Sequence, residues 1–235
     1  MPWLWRYRIQ PHLVRKNIWS QLSNGSDRKI TYALLIDLYR EVQADKISRR
    51  DRKRLKIGDD AFIYGEIDFL SFAFILDKVK PQAGEIFYDL GSGAGKAVIA
   101  AALSFDFVKS VGVELLPGLC AVANEQISKA HTLVKSQNKT LSDTYLARLS
   151  RIEIINVDLQ QCDFSEANIV FINATCFGYG MWEKVQEKLN SLQSGSRIIV
   201  TTKKIQHENF QLLNSDQELM SWGMNSVQIY QKIFA

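Results

Sequence analysis

The sequence predicts an α/β fold in which a mostly parallel sheet has an antiparallel C-terminal edge and follows a small helical N-terminal region. From residue 85 onward, short apolar segments alternate with helix-compatible stretches, a pattern typical of parallel strands joined by crossover helices. The segments are EIFYDL, SVGVEL, IEIINV, NIVFIN and SRIIVTT. The last part of the chain, QELMSWG and SVQIYQKIF, predicts two further strands joined by a turn at Gly223. These two strands form the expected antiparallel edge.

Residues 1–63 are expected to form a helical, basic region, and residues 64–235 the α/β domain. Apolar residues recur every four positions from Ile30 to Val42, which predicts one face of a helix over 27–43. A second helix is predicted from about residue 68 to residue 79. Within the α/β domain, three helices are predicted over 95–104, 117–136 and 180–192.

Charge is distributed unevenly along the chain. Residues 1–66 carry 14 of the 29 basic side chains and 8 of the 25 acidic ones, a net charge of +6, whereas the remainder nets −2. Most of the excess lies in KISRRDRKRLK, residues 46–56. One interpretation is a solvated, partly helical surface segment. Another is a docking patch for an acidic or nucleoprotein partner. A peripheral contact with anionic lipid, anchored by Trp3, Trp5 and Trp19, is a third.

The composition is that of an ordinary globular protein, with 46% hydrophobic and 23% charged residues. No apolar run reaches the roughly 18 residues that a membrane span requires, and the first ten residues do not resemble a secretory signal. Three separated cysteines, Cys120, Cys162 and Cys176, offer neither a disulfide framework nor metal-ligand spacing. We therefore expect no metal, a reducing compartment and a cytoplasmic location, with nuclear or secreted-effector targeting left open.

The segment YDLGSGAGK, residues 88–96, carries the strongest functional signal. A phosphate-binding loop would need a glycine at Leu90 and a hydroxyl residue at Ala97. A dinucleotide fingerprint would need a third glycine where Lys96 stands. The pattern Asp-x-Gly-x-Gly-x-Gly of S-adenosylmethionine (SAM) enzymes fits, because Asp89 precedes glycines at 91, 93 and 95. The predicted cofactor is therefore SAM.

Further polar residues follow neighbouring strands at spacings that suit this cofactor. The predicted cofactor-binding loop comprises Asp89, Gly91, Ser92, Gly93 and Gly95. Glycine permits the sharp turn and the close approach to the ligand, and the aspartate can accept a hydrogen bond from the ammonium group of SAM. An acid after the second strand, Glu114, is expected to bind the ribose hydroxyls, and Asp158 after the third strand is expected near the adenine.

The loop after the fourth strand, FINATCFGYG, is expected at the methyl end of the cofactor. Its first polar residue is Asn173. Enzymes that methylate planar nitrogens commonly have Asn-Pro-Pro-aromatic here, and the absence of these prolines counts against an adenine, cytosine or glutamine acceptor.

Five segments together resemble the disruptor-of-telomeric-silencing family of lysine methyltransferases, which lack a SET domain. They are YGE at 64–66, YDLGSGAGK, VGVE, VDL and FINATCF, and the similarity spans about residues 64–204. The resemblance implies a Rossmann-like, seven-strand class I SAM-dependent methyltransferase fold and a protein lysine as acceptor. It also implies that Tyr64 and Glu66 close over the cofactor. Tyr64, Asn173 and Phe177 are then the expected catalytic residues, with Asn173 near the methyl group and Phe177 in the acceptor channel.

The sequence departs from the family pattern mainly on the acceptor side. Ile67 replaces the threonine of YGET, and Ala174 and Thr175 replace an asparagine and an aromatic residue of NNFAF. Protein lysines other than those of histones are therefore equally compatible with the sequence. A nucleic-acid N-methyltransferase, favoured by the basic run, and a non-catalytic adaptor with the same fold are the alternative hypotheses.

Overall fold

The structure is a computed structural model that describes residues 26–57, 65, 67–136, 139–220 and 223–234. Its strands form one seven-stranded sheet with the order β3-β2-β1-β4-β5-β7-β6. Strands β1 to β5 are parallel, and β7 lies antiparallel between β5 and β6. The strands are β1 Ile86–Leu90, β2 Lys109–Glu114, β3 Ile152–Asn156, β4 Ile169–Asn173, β5 Arg197–Thr201, β6 Phe210–Met220 and β7 Gly223–Lys232. The predicted parallel sheet with an antiparallel C-terminal edge is confirmed.

Helices cover both faces of this sheet. In the described ranges they are α1 Ser26–Tyr39, α2 Ala44–Leu55, α3 Phe69–Lys78, α4 Lys96–Ser104, α5 Pro117–Lys135, α6 Lys139–Leu149 and α7 Tyr179–Leu189. A short 3-10 turn, Ala174–Cys176, follows β4. The local sequence explains where two of these helices begin. Asp68 caps α3 by accepting a hydrogen bond from the backbone N–H of Ser71, and Pro117 occupies the first turn of α5.

The alternation of side chains along the strands divides the core into two layers. Phe87 and Phe171 point to one face, where they pack with side chains of α1, α3, α4, α5 and α6. Tyr88 and Leu90 point to the other face, which α7 covers. Because the side-chain period is two, Asp89 shares the face of Phe87, and Asn173 shares the face of Phe171. The polar ends of β1 and β4 therefore meet on the same side of the sheet.

Three elements differ from the sequence-based expectation. The basic run is most of the regular helix α2, and α6 was not predicted, because its apolar pattern is short and centres on the buried Tyr145 and Leu149. Strand β6 begins at Phe210, seven residues before the predicted start, and a register shift between Leu212 and Asn214 interrupts its alternation. Gly223 is the first residue of β7, and the two residues before it lie outside the described ranges.

No helix among the described residues combines the length and the apolar character that crossing a membrane requires.

Candidate functional site

The carboxyl ends of the parallel strands enclose a cavity of about 520 Å³. It lies where the strand order reverses between β1 and β4, which is the usual ligand position in open parallel sheets. The cavity is lined by most of the residues that the sequence singled out: Asp89, Gly91, Ser92, Gly93, Glu114, Asp158, Asn173 and Phe177. The structure thus gathers residues from four strand ends into one site.

The glycine loop after β1 turns sharply because three of its residues adopt positive φ angles. Gly91, Gly93 and Gly95 have φ values of 89°, 55° and 79°, a region that other residues rarely enter. The backbone N–H groups of Gly91 and Ser92 both donate to the carbonyl oxygen of Val113, at 2.8 and 3.0 Å. The loop is therefore fastened to the end of β2.

Gly95 has a packing role that the sequence did not indicate. It does not line the cavity; it precedes α4 and packs against α5. A Cβ atom built on Gly95 would lie 2.9 Å from the Cβ of Ala123, closer than two carbon atoms tolerate. Gly95 thus permits close packing of the loop on α5, and its predicted contact with the cofactor stays a prediction.

Glu114 connects the glycine loop to the start of α5. One carboxylate oxygen accepts from the backbone N–H of Gly93 and the other from that of Leu116, both at 2.8 Å. Burial raises the pKa of Glu114, and these backbone N–H groups oppose the increase. Each oxygen keeps a second lone pair, so the acid can hold the loop and still accept from a ribose hydroxyl.

Asp89 is buried without comparable support, with 3% of its surface exposed. Burial raises the pKa of Asp89 well above its ordinary value, and the nearby charge of Glu114 raises it further. No opposing cause arises from the described residues. A cationic group bound in the cavity would favour the ionised form of Asp89, which suits the ammonium group of SAM.

Other features of the cavity also fit this cofactor. Ser92 lines the cavity, while its buried Oγ packs over Gly112 and has no hydrogen-bond partner among the described residues. Asp158 Oδ1 accepts from the backbone N–H of Gln160 at 2.9 Å, which fixes the turn after β3. Apolar walls from Leu116, Leu119 and Val157 are suited to a flat base. The described residues contain no group of three or more potential metal ligands.

Asn173 holds the opposite end of the cavity. Its Nδ2 donates to the carbonyl oxygen of Gly65 at 3.1 Å, and its Oδ1 accepts from the hydroxyl groups of Thr175 and Thr201 at 2.8 and 2.7 Å. Phe177 is buried beside it and lines the cavity. The structure therefore places a fixed amide next to an aromatic wall.

The segment YGE reaches the cavity through its middle residue. Gly65 and the buried Ile67 both line the cavity. Tyr64 and Glu66, which we predicted to close over the cofactor, lie outside the described residues, so their roles stay predictions.

Polar residues to which the sequence assigned no place in the site also line the cavity, among them Ser48 and Lys96. Ser48 is a buried residue of α2. The sequence feature that could have indicated it is a small polar side chain within a run of charged residues. Lys96 begins α4, and its Nζ lies 5.2 Å from the ring centroid of Tyr39. In the sequence, Lys96 stands out only as a possible phosphate ligand or as a departure from the dinucleotide pattern.

Comparison with known proteins identifies the family. The model of the family "Histone methylation protein DOT1" matches residues 53–231. A histone-lysine N-methyltransferase, H3 lysine-79 specific, from Eremothecium gossypii is 30% identical over 162 residues, which cover 67% of this chain and 27% of that protein. A protein of the same name from Dictyostelium discoideum is 24% identical over 222 residues, which cover 92% of this chain and 11% of that protein. This chain thus spans about a quarter or less of these two relatives.

Solved structures confirm the predicted fold. An RNA methyltransferase from Salinibacter ruber, crystallised with S-adenosyl-L-homocysteine, superposes with a TM-score of 0.53 at 21% identity. The match covers 69% of this chain and 90% of that one. At this identity the likeness defines the fold, a SAM-dependent methyltransferase sheet, and leaves the acceptor open. From the family model, which spans most of the chain, it follows that this protein belongs to the DOT1 family of histone methylation proteins.

Proposed function

We propose that this chain transfers the methyl group of SAM to the side-chain amine of a protein lysine. The observation that carries the proposal is a single cavity with two chemically different ends. Asp89, Ser92 and Glu114 line one end, and Asn173 and Phe177 line the other. Membership of the DOT1 family supports the choice of lysine.

The cofactor end supplies charge and hydrogen bonds. SAM supplies, when bound, an electrophilic methyl group on a sulfonium centre. Asp89 is positioned to pair with the ammonium group and Glu114 to accept a hydrogen bond from the ribose, and Ser92 lines the same part of the cavity. Placing these groups in a largely buried cavity fixes the cofactor and limits the geometries that it can adopt.

The acceptor end supplies alignment and an apolar wall. A lysine amine must be neutral to attack the methyl group, and its ordinary pKa is about 10.4. The buried Phe177 and Ile67 form apolar surface at the cavity, and such surface disfavours the charged ammonium. No catalytic histidine or cysteine is required, because alignment and deprotonation of the amine account for the chemistry.

The helix α2 provides the surface on which an acidic substrate particle would dock. Its outward side chains include Arg49, Arg50 and Arg54, which are 66, 72 and 63% exposed. Its inner face is anchored, because the buried Asp51 accepts from the backbone N–H of Gly118 at the start of α5. A cation-bearing face therefore lies on a helix that also contributes Ser48 to the cavity.

Arg52 differs from its neighbours, since only 8% of its surface is exposed. It packs inside and is unsuited to direct contact with a partner. A charge-reversal test of the basic helix should therefore leave Arg52 unchanged, because reversing it would place a carboxylate in a buried position and destabilise the fold.

Two of the relatives above are named for lysine 79 of histone H3, which makes a nucleosome the first substrate to test. Reversal of Arg49, Arg50 and Arg54 to glutamate should weaken association with nucleosomes severalfold, and raised salt should reduce the difference. Reversal of the exposed Lys29, Lys129 and Lys184 is the control of equal charge change. Equal losses in both variants would refute a role for α2 as a specific docking surface.

Transfer from methyl-labelled SAM tests the proposed reaction itself. The purified chain is incubated with whole-cell fractions and with nucleosomes, after which protein, RNA and DNA are separated. We expect label in protein and, after hydrolysis, in methylated lysine. Label in RNA or DNA would support the nucleic-acid alternative that the basic helix favours, and cofactor binding without transfer to any fraction would support the adaptor.

Two expectations about partners and location stay predictions. The cytoplasmic location is an expectation from cysteine usage and sequence pattern only, and localisation of a tagged chain in cells would test it. A lipid contact through Trp3, Trp5 and Trp19 concerns residues outside the described ranges, and sedimentation with anionic vesicles would test it.

A further inference from the structure

A polar network joins the C-terminal hairpin to the acceptor end of the cavity. Thr175 Oγ1 lies 2.9 Å from Thr202 Oγ1 and accepts from Asn225 Nδ2 at 3.3 Å. Thr202 also donates to Asn225 Oδ1 at 3.0 Å. The network continues from Thr175 to Asn173 and from there to the carbonyl oxygen of Gly65. It therefore reaches from β7 to the segment that borders the cavity.

The hydrogen bonds determine which way the Asn173 amide points. Its Oδ1 accepts two hydroxyl protons, from Thr175 and Thr201, which fill its two acceptor positions. Rotating the amide by half a turn would set Oδ1 against the carbonyl oxygen of Gly65, a contact between two acceptors. One N–H of Nδ2 binds Gly65, so the second N–H is left for a molecule bound in the cavity.

Thr202 has a backbone conformation that a β-branched residue rarely adopts. Its φ is 68°, in the left-handed region where such a residue is strained. The strain places its hydroxyl group between Thr175 and Asn225. Sites that keep a strained non-glycine residue commonly do so for function, and the observation that motivates a role here is the hydrogen-bonded position of this side chain.

We propose that Thr175, Thr202 and Asn225 are positioning residues that hold the Asn173 amide as a hydrogen-bond donor toward the cavity. Through Asn173 they also fasten the segment at Gly65 to the catalytic domain. The inference rests on the proposed function insofar as it concerns methyl transfer, but the fixed orientation of the amide is a property of the chain alone. Because Thr175 stands where the family pattern has an aromatic residue, this polar wall distinguishes the present chain from that pattern.

The first test compares variants that remove or keep one hydroxyl group. Thr175→Val should lower kcat on the order of tenfold, because a misplaced amide disturbs alignment, while KM for the acceptor stays within twofold. Thr175→Ser, which keeps the hydroxyl, should restore most of the rate. Thr202→Gly, which relieves the strain, should lower kcat without lowering Tm. If these residues served only folding, Tm and kcat would fall together. That result would overturn the proposal.

A double-mutant cycle separates positioning from an independent effect. If Asn225 acts through Asn173, Asn225→Ala should lower kcat severalfold in the wild-type background and should change it little in Asn173→Ala. Full additivity of the two losses would overturn the proposal.

A third measurement needs no catalysis. The side-chain amide protons of Asn173, assigned by their loss in Asn173→Ala, should exchange with solvent several times faster in Thr175→Val and Asn225→Ala than in wild type or Thr175→Ser. Unchanged exchange would overturn the positioning role. Altered exchange in a protein that transfers no methyl group would keep the positioning role and refute the proposed function, so the two failures are distinguishable.

Discussion

Backbone groups shape the cavity at residues 91–95, whereas side chains shape it at residues 173–177. In the glycine loop, the N–H groups of Gly91 and Ser92 bind the carbonyl oxygen of Val113, and left-handed glycines make the turn. At the other end, hydroxyl and amide side chains hold Asn173. A loop shaped by backbone groups and left-handed residues tolerates few amino acids other than glycine. A loop shaped by side-chain hydrogen bonds can change its polarity when those side chains are substituted. The departures from the family pattern lie at the second end.

The largest expected effect comes from breaking the backbone-built end at Gly95. Gly95→Ala combines a left-handed backbone, which costs about 1–2 kcal/mol for other residues, with overpacking against Ala123, which costs about 1–3 kcal/mol more. Chemical denaturation would measure the loss of stability.

Two glycines provide controls that separate strain from crowding. Gly84 and Gly195 have φ values of 85° and 90°, and nothing lies within 4 Å of a Cβ atom built on either. Alanine at these positions should cost only the strain, and Ala123→Gly should restore part of the stability of Gly95→Ala. Equal losses at all three glycines would show that close packing on α5 is unimportant.

Neutralising each of the two buried acids, Glu114 and Asp89, should change the stability of the unliganded chain in opposite directions. Glu114→Gln leaves one of two backbone N–H groups without its acceptor and should destabilise the unliganded chain by about 1–3 kcal/mol. Asp89→Asn removes a carboxylate that burial disfavours in its ionised form, so it should raise Tm near neutral pH. A drop in Tm for Asp89→Asn would indicate that this carboxylate already has a stabilising partner.

The pH dependence of unliganded stability sharpens the same point. The folded-state pKa of Asp89 is raised, so its contribution to stability is fully present below the unfolded pKa, about 3.9. That contribution is lost as pH rises through the folded pKa. Relative to Asp89→Asn, wild type should therefore become less stable as pH increases above about 4. Denaturation at several pH values would measure it, and a difference independent of pH would contradict the buried, unpaired state of Asp89.

A smaller effect is expected at the aromatic wall. Phe177→Ala should admit water to the acceptor end and lower the rate severalfold near neutral pH, because the amine keeps its proton more readily. The rate should recover partly as pH approaches the free-lysine value of about 10.4. Initial rates across pH would test this, with wild type as the reference for any loss of enzyme stability. A loss that stays constant with pH would argue against a lysine channel at Phe177.

The sequence allowed prediction of the cofactor end because its requirements are local. Three glycines within five residues can be recognised without knowing the rest of the fold, and the acids that follow the second and third strands, Glu114 and Asp158, follow from the alternation of strands and helices. Even there, the tight contact between Gly95 and Ala123 was not visible, since it joins a loop to a distant helix.

The acceptor end could be predicted only in part. Asn173 and Phe177 were recognised from a short motif, but the supporting partners of Asn173 are distant in sequence: Thr201 ends β5, Thr202 directly follows it, and Asn225 belongs to β7. Nothing in the sequence near residue 173 indicates that these hydroxyl and amide groups converge. The burial of Arg52 was missed for a similar reason, because its neighbours in sequence are exposed while its own side faces the core.

The division of the cavity into a binding end and an aligning end is tested most directly by comparing Asp89→Asn with Asn173→Ala. For each variant, calorimetry would give the affinity for SAM, and single-turnover transfer at saturating cofactor would give the rate. We predict that Asp89→Asn weakens binding about 10- to 100-fold, the equivalent of a lost charged hydrogen bond, and largely keeps the rate. Asn173→Ala should keep the affinity within a few-fold and lower the rate by at least about tenfold. Equal losses of affinity and rate in both variants would contradict the account.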